Sequence, residues 1–244
     1  LSTLVRMGTV DRALVRDVSA IALASGVVGV SFGALAVSAG MPVWLALFMS
    51  VVVFAGGSQF VAVGVVAAGG SPVAAVLAGL LLNARHLPFG LAVADVLGRR
   101  WPTRLLGAHL MVDESVAFAL AQPDLARRRA AYWWCSGLLF VGWNLGVTVG
   151  SVAGSTVGDP ATLGLDAAFP ASLLALLLPG LLPPRKEPAP AGTPSSDDAV
   201  ARAKATRARH VALVGAVIAL VTTPLLPAGV PILLALLAVG VALR

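Results

Sequence analysis

Asn83-Ala84-Arg85-His86-Leu87-Pro88-Phe89-Gly90 interrupts a long uncharged part of the chain, and the reading of this stretch decides the fold. No charged residue stands between Asp17 and Arg85, and none follows until Asp95. About a quarter of the residues of a soluble domain are charged. Here the proportion is 11%, beside 58% hydrophobic residues and a mean hydropathy of +0.93. Several runs reach the roughly 20 apolar residues needed to cross about 30 Å of hydrocarbon. Arg85 is therefore expected at membrane depth, where an arginine costs roughly 2.5–3.5 kcal/mol on insertion scales. Such a residue faces a partner, a water-filled cavity or a substrate path, which makes the chain a candidate transporter.

Working outward from Arg85, apolar runs cover 18–39, 43–69, 72–94, 130–154, 167–183, 211–224 and 228–243, with a more polar helical segment over 102–121. No alternating strand pattern accompanies them, and only helices and closed barrels satisfy backbone groups in lipid. The expected fold is all-α: a polytopic membrane helical bundle of about six to eight membrane segments, at least one of them broken or re-entrant. The expected division is a cytoplasmic N-terminal segment (1–17), a main transmembrane block (18–183), a cytoplasmic Pro-rich linker (184–210) and a C-terminal transmembrane hairpin (211–244). The first run is read as a retained helix, being too long for the apolar core of a signal peptide and followed at once by more membrane segments.

The formal charge of +6 and a pI near 11.0 would suggest nucleic acid in a soluble protein. Here the basic residues sit in loops, and no basic stripe is interleaved with aromatics. The lipid bilayer is the expected surrounding, and no nucleic-acid partner is expected. Cys135 is the single cysteine, which excludes intrachain disulfides and thiolate metal sites. No Walker A, nucleophile-elbow, zincin or Rossmann signature is present, so the reading is not an enzyme, with no cofactor and no metal.

The loop charges set a constraint. Basic clusters at Arg6, Arg12 and Arg16, at Arg99, Arg100 and Arg104, at 127–129 and along 185–209 should all face the cytoplasm. The acidic loop with Asp159 and Asp166 should face outside. Three full crossings from a cytoplasmic N-terminus would put Arg99 and Arg100 outside, so an even number is needed between residues 17 and 98. One of the first three runs is then re-entrant or broken. Two of them carry breakers, Ala55-Gly56-Gly57-Ser58-Gln59 and Asn83 to Pro88. The 102–121 segment must be re-entrant as well, since both its flanks are basic. Broken helices survive at membrane depth only when buried in protein or lining a cavity. In transporters they commonly form the substrate site.

Each motif has two readings. Ser58 and Gln59 either line an unwound cavity or pack closely, with Gln59 bonding between helices. Arg85, flanked by Asn83 and His86, either snorkels from a helix end or faces a cavity; the run continues to Ala94, a long reach for snorkelling. Asp113 and Glu114 either form a wet interfacial face, or pair with Arg85 or take up a proton. His109 and Asp113, four apart, are expected on one helix face, which is weak support for a metal site. Gly142, Gly146, Gly150 and Gly154 form a ridge of small residues for close helix packing, against this chain or a second subunit.

At these motifs the chain resembles the AzlC-type large subunits of two-component branched-chain amino acid exporters. The matching residues are Phe32-Gly33, Met49-Ser50, Phe54-Ala55-Gly56-x-x-Gln59-Phe60, Asn83-x-Arg85-His86, Asp113-Glu114 and Leu163-Gly164-Leu165-Asp166. The likeness covers roughly residues 17–183. It departs at Ala84, at Pro88-Phe89 and in the long linker. The resemblance implies export of valine, leucine, isoleucine and sometimes methionine across the bacterial plasma membrane, driven by protons or membrane potential, with a small AzlD-type membrane subunit. Under that implication Ser58, Gln59, Asn83, Arg85 and His86 would bind the amino acid, and Asp113 or Glu114 would take its ammonium group or the coupled proton. The competing reading is a membrane-embedded enzyme or accessory membrane protein using His86, His109, Asp113 and Glu114.

Overall fold

The computed structural model describes residues 12–156, 196–226 and 230–238. The expected N-terminal segment, the acidic loop of Asp159 and Asp166, the Leu163–Asp166 motif, the run 167–183 and the first half of the Pro-rich linker lie outside the described residues, apart from the last few positions of the first. The helices are α1 (Arg12–Ser38), α2 (Val43–Val52), α3 (Gly56–Ala67), α4 (Pro72–Asn83), α5 (His86–Ala92), α6 (Trp101–His109), α7 (Asp113–Leu120), α8 (Leu125–Thr156), α9 (Ser196–Thr222) and α10 (Val230–Ala235). A 3₁₀ turn follows at Leu236–Ala238, and no strand occurs among the described residues. The architecture is an all-α helical membrane bundle.

Length sorts these helices into two kinds. Arg12–Ser38, Pro72–Ala92 (counted through the turn at Ala84-Arg85) and Leu125–Thr156 are long and apolar enough to cross a membrane, with 27, 21 and 32 residues. At about 1.5 Å per residue they reach roughly 40, 31 and 48 Å, against a hydrocarbon core of about 30 Å. In contrast, α2, α3, α6 and α7 have 10, 12, 9 and 8 residues, so each reaches only about 12–18 Å. Half-length helices come in two pairs, α2 with α3 and α6 with α7.

The chain divides into two compact units, residues 1–63 with 79–169, and residues 64–78 with 170–244. In the first, α1 and α8 form the frame. The glycine ridge of α8 lies against α1 of this same chain. A Cβ on Gly142 would stand 2.7 Å from the Ala22 carbonyl oxygen, and one on Gly154 would stand 2.8 Å from Ala34 Cα. On Gly146 and Gly150 it would overlap the carbonyls of Gly26 and Val30. The partners rise together along both helices, so α1 and α8 run parallel and their basic starts share one end of the unit. Close approach through small residues is how membrane helices gain packing without a hydrophobic driving force.

The interrupted segments fill the space beside this frame. Beyond left-handed Gly40 (φ 88°), α2 turns back along α8, and Ser50 Oγ donates to Asn144 Oδ1 at 2.6 Å. α3 and α4 pair antiparallel at this level, Gly57 beside Leu82 and Ser58 beside Gly79. The end of the α4–α5 segment returns to the start of α8. There Arg128 pairs with the Asp95 carboxylate at 3.0 Å, and Arg129 donates to the Asp95 carbonyl at 2.9 Å. Left-handed Gly98 (φ 77°) precedes α6. Met111, Val116 and Ala119 then pack with Val93, Val96, Leu97 and buried Tyr132.

Both interrupted runs identified by their breakers are broken, the second at 53–55 and the third at Ala84-Arg85. The segment over 102–121 is broken too, at 110–112. One expectation is corrected by that break. His109 ends α6 and Asp113 begins α7, so they do not share a helix face; Val112 is extended (φ −135°, ψ 162°), which removes the helical register between them.

In the second unit α9 runs without a break from Ser196 to Thr222, through the boundary expected at 210/211. Residues 199–209 (Ala-Val-Ala-Arg-Ala-Lys-Ala-Thr-Arg-Ala-Arg) are dominated by the strongest helix formers, while the last proline before them is Pro194. Within this unit Gly215 of α9 approaches the Ala235 carbonyl of α10 and Ala238.

Candidate functional site

Three helix interruptions meet in the first unit. The first is built on Phe54, whose φ of +32° lies in the left-handed region. That conformation costs a β-carbon residue on the order of 1–3 kcal/mol and persists only where the surroundings hold it. Here the Phe54 ring is buried edge-on to Phe140, centroids 5.0 Å apart. Gly56 then opens α3 directly over the Trp143 indole, where a Cβ would stand 2.8 Å from the ring. A Cβ on Gly57 would lie 3.7 Å from Arg85 Nη2. The first turn of α3, whose opening N–H groups lack intrahelical acceptors, is thus near the guanidinium.

The second interruption carries Arg85 itself. Ser58 Oγ ties it to the first, donating to Asn83 Oδ1 at 2.6 Å and lying 3.1 Å from the Gly79 carbonyl oxygen. His86 Nδ1 is 3.0 Å from the Asn83 carbonyl oxygen. A carbonyl only accepts, so Nδ1 carries the proton and Nε2 is turned toward Asp113 Oδ1, 3.9 Å away.

The third interruption supplies the carboxylates. Extended Val112 is closed on itself by Ser115, whose Oγ accepts from the Val112 N–H at 3.1 Å and donates to its carbonyl at 2.8 Å. α7 therefore starts at Asp113, and Asp113 Oδ2 meets Arg85 Nη1 at 3.0 Å. Carboxylates in a first helical turn are favoured by the macrodipole. The side chains of Arg85 and Asp113 retain 38% and 30% of their exposure, so the pair is open on one side. Glu114 follows, half-buried.

Gln59 is 1% exposed, and neither amide atom has a partner among the described residues. Arg85 Nε is likewise buried and unpartnered. Native structures leave few such atoms, and each costs about 1–3 kcal/mol. Phe32, Phe60 and Trp143 pack together on the apolar side, with centroids 5.3–6.3 Å apart.

Ser58, Asn83, Arg85, His86 and Asp113 are thus joined through direct contacts. His109 stands apart from them, its ring edge-on to Phe140 at 6.2 Å. Among the described residues no group of three His, Cys, Asp or Glu side chains has metal-site geometry. Four contributors escaped the sequence reading: Phe54 as the left-handed residue, Gly57 as the neighbour of Arg85, Phe140 and the Ser50–Asn144 bond. Asn144 alone carried a signal, an amide inside the glycine ridge.

A bundle of interrupted apolar helices with an ion pair where the interruptions meet defines a helical membrane protein. The profile of the AzlC protein family matches residues 20–157, more than half of the chain, and the chain belongs to that family. An uncharacterized membrane protein of Helicobacter pylori is 34% identical over 130 residues, 52% of this chain and 57% of its own length. The inner membrane protein YgaZ of Escherichia coli is 30% identical over 161 residues, 63% of this chain and 62% of its own. The branched-chain amino acid transport protein AzlC of Bacillus subtilis is 26% identical over 152 residues, 62% of this chain and 59% of its own. The matches span less than two thirds of each of these relatives. No solved structure matches the chain.

Proposed function

We propose that the chain is the large subunit of a secondary transporter that exports branched-chain amino acids (valine, leucine, isoleucine, and methionine as a further substrate) across the bacterial plasma membrane. The observation that carries this is the Arg85–Asp113 pair, open on one side, at the meeting of three interruptions in an apolar bundle. A zwitterion inserts into such a pair without changing the net charge. Its carboxylate takes Arg85 and the N–H groups opening α3, and its ammonium takes Asp113 or Glu114. The Arg85–Asp113 bond lost is replaced by two. Ser58, Asn83 and His86 tie together the turn that carries Arg85, Gln59 supplies the unfilled amide, and the packed rings of Phe32, Phe60 and Trp143 are the nearby apolar surface for the side chain. Protons or the membrane potential drive the cycle, with Asp113 or Glu114 as the proton site.

The parallel frame supports a cytoplasmic start for α1 and α8. The starts of α1 and α8 carry Arg12, Arg16 and Arg127–Arg129 at one end, which the positive-inside rule assigns to the cytoplasm. The two half-length pairs are re-entrant, so α1 and the α4–α5 stretch are the two crossings before Arg99, an even number. A small AzlD-type membrane subunit completes the transporter. Counterflow of labelled valine in proteoliposomes holding both subunits tests the reading. Wild type should exchange valine and Arg85→Gln should fall at least tenfold; equal rates would overturn it.

A further inference from the structure

The chain from α1 to α3 and the chain from α4 to α7 carry the same marks at a nearly constant spacing. Phe32-Gly33 recurs as Phe89-Gly90, Leu35-Ala36-Val37 as Leu91-Ala92-Val93, Trp44 as Trp101, and Ser58 as Ser115. The conformations recur with them. A crossing-length helical stretch leads to a left-handed glycine, Gly40 or Gly98. A half-length helix follows, α2 or α6, then a break, 53–55 or 110–112. A second half-length helix opens at Gly56 or Asp113, with the matched serine at its third position. Trp44 and Trp101 are both exposed, each at the entry to its hairpin.

The two copies point in opposite directions. α1 is parallel to α8, whereas the α4–α5 stretch ends where α8 begins, at the Asp95–Arg128 pair. The first hairpin enters from the end where α1 finishes, and the second from the end where α1 starts. Their inner tips meet on one residue, Phe140, which touches Phe54 from the first and His109 from the second. The copies differ where they border the ion pair, Gly56-Gly57 in one and Asp113-Glu114 in the other. Inverted repeats with discontinuous helices meeting at mid-depth are a general architecture for alternating access.

We propose that residues 12–67 and 72–120 are two copies of one unit inserted with opposite orientation, and that their re-entrant hairpins are the two gates, α2–α3 toward the outside and α6–α7 toward the cytoplasm. The orientation of the copies stands on the geometry alone; the gating rests on the transporter reading. Phe140 is the stop against which each gate closes, so the two tips leave it alternately.

Single cysteines at Trp44 and Trp101, labelled with a membrane-impermeant maleimide in right-side-out and inverted vesicles, test the orientation. The unaltered chain, whose Cys135 is buried, is the blank. Trp44→Cys should label at least tenfold faster from outside and Trp101→Cys at least tenfold faster from inside. Labelling of both from one face overturns the inverted repeat. If either tryptophan variant fails to accumulate, Ala39→Cys and Arg99→Cys, exposed at the same two corners, give the same readout. The gates are tested with Val53→Cys and Ala108→Cys in proteoliposomes where valine counterflow has been measured. Saturating valine should move their labelling rates in opposite directions. With counterflow present, parallel or absent changes overturn the gating. Opposite-side labelling without counterflow overturns the substrate reading and leaves the repeat standing.

Discussion

Replacing Arg85 with glutamine leaves the Asp113 carboxylate without its 3.0 Å partner. Breaking a buried pair costs roughly 3–5 kcal/mol. Here both side chains keep about a third of their exposure, so the expected loss is nearer 1–2 kcal/mol, between the surface and buried limits. Thermal unfolding in detergent should show that loss for Arg85→Gln and for Asp113→Asn, while the double variant recovers most of it. Valine counterflow should stay absent in the double variant. Recovery of transport along with stability would make the pair structural and remove Arg85 and Asp113 from the substrate. Gln59→Leu separates the roles of its neighbour. It removes a buried amide with no protein partner, so unfolding should shift upward by about 1 kcal/mol while the KM for valine rises; an unchanged KM takes Gln59 out of the site.

At the scale of elements, the α1–α8 contact has no slack. Any Cβ on Gly146 or Gly150 meets backbone carbonyls, which have no rotamer to yield. Gly150→Val should therefore cost about 3 kcal/mol or more, at the upper end of overpacking penalties. Gly137→Ala on the same helix, with nothing near its Cβ, should be neutral or gain up to about 1 kcal/mol of helix propensity. Asn144→Leu loses the bond to Ser50, and interhelical bonds in membranes average only about 0.6 kcal/mol. Melting temperatures should rise from Gly150→Val, far below the others, through Asn144→Leu to Gly137→Ala; equal melting would mean that α1 and α8 do not pack through this ridge.

At the scale of the whole molecule, the half-length helices and the basic loops were open to sequence reading, and the convergence of the breaks was not. The membrane class follows from uncharged runs long enough to cross, and the need for a re-entrant segment follows from counting crossings between Arg16 and Arg99. Both are sums over composition, which no tertiary contact alters. The Gly56-Gly57 pair and Asn83 to Pro88 also mark the breaks locally, because glycine leaves the helical region easily and Pro88 has no N–H to donate to the Ala84 carbonyl four residues back. The geometry at residues 110–112 was hidden. Leu110-Met111-Val112 is an ordinary apolar triplet, and only Ser115 folding back on Val112 and the packing of Met111 open it. That is also why His109 and Asp113 part company. Which helix fills the glycine ridge, which carboxylate meets Arg85 and which end of α8 holds Asp95 depend on contacts between residues far apart in the chain. Local sequence carries the cost of placing a charge or a break in lipid; only the packed bundle brings Asp113 to Arg85 and so makes the arginine affordable at membrane depth.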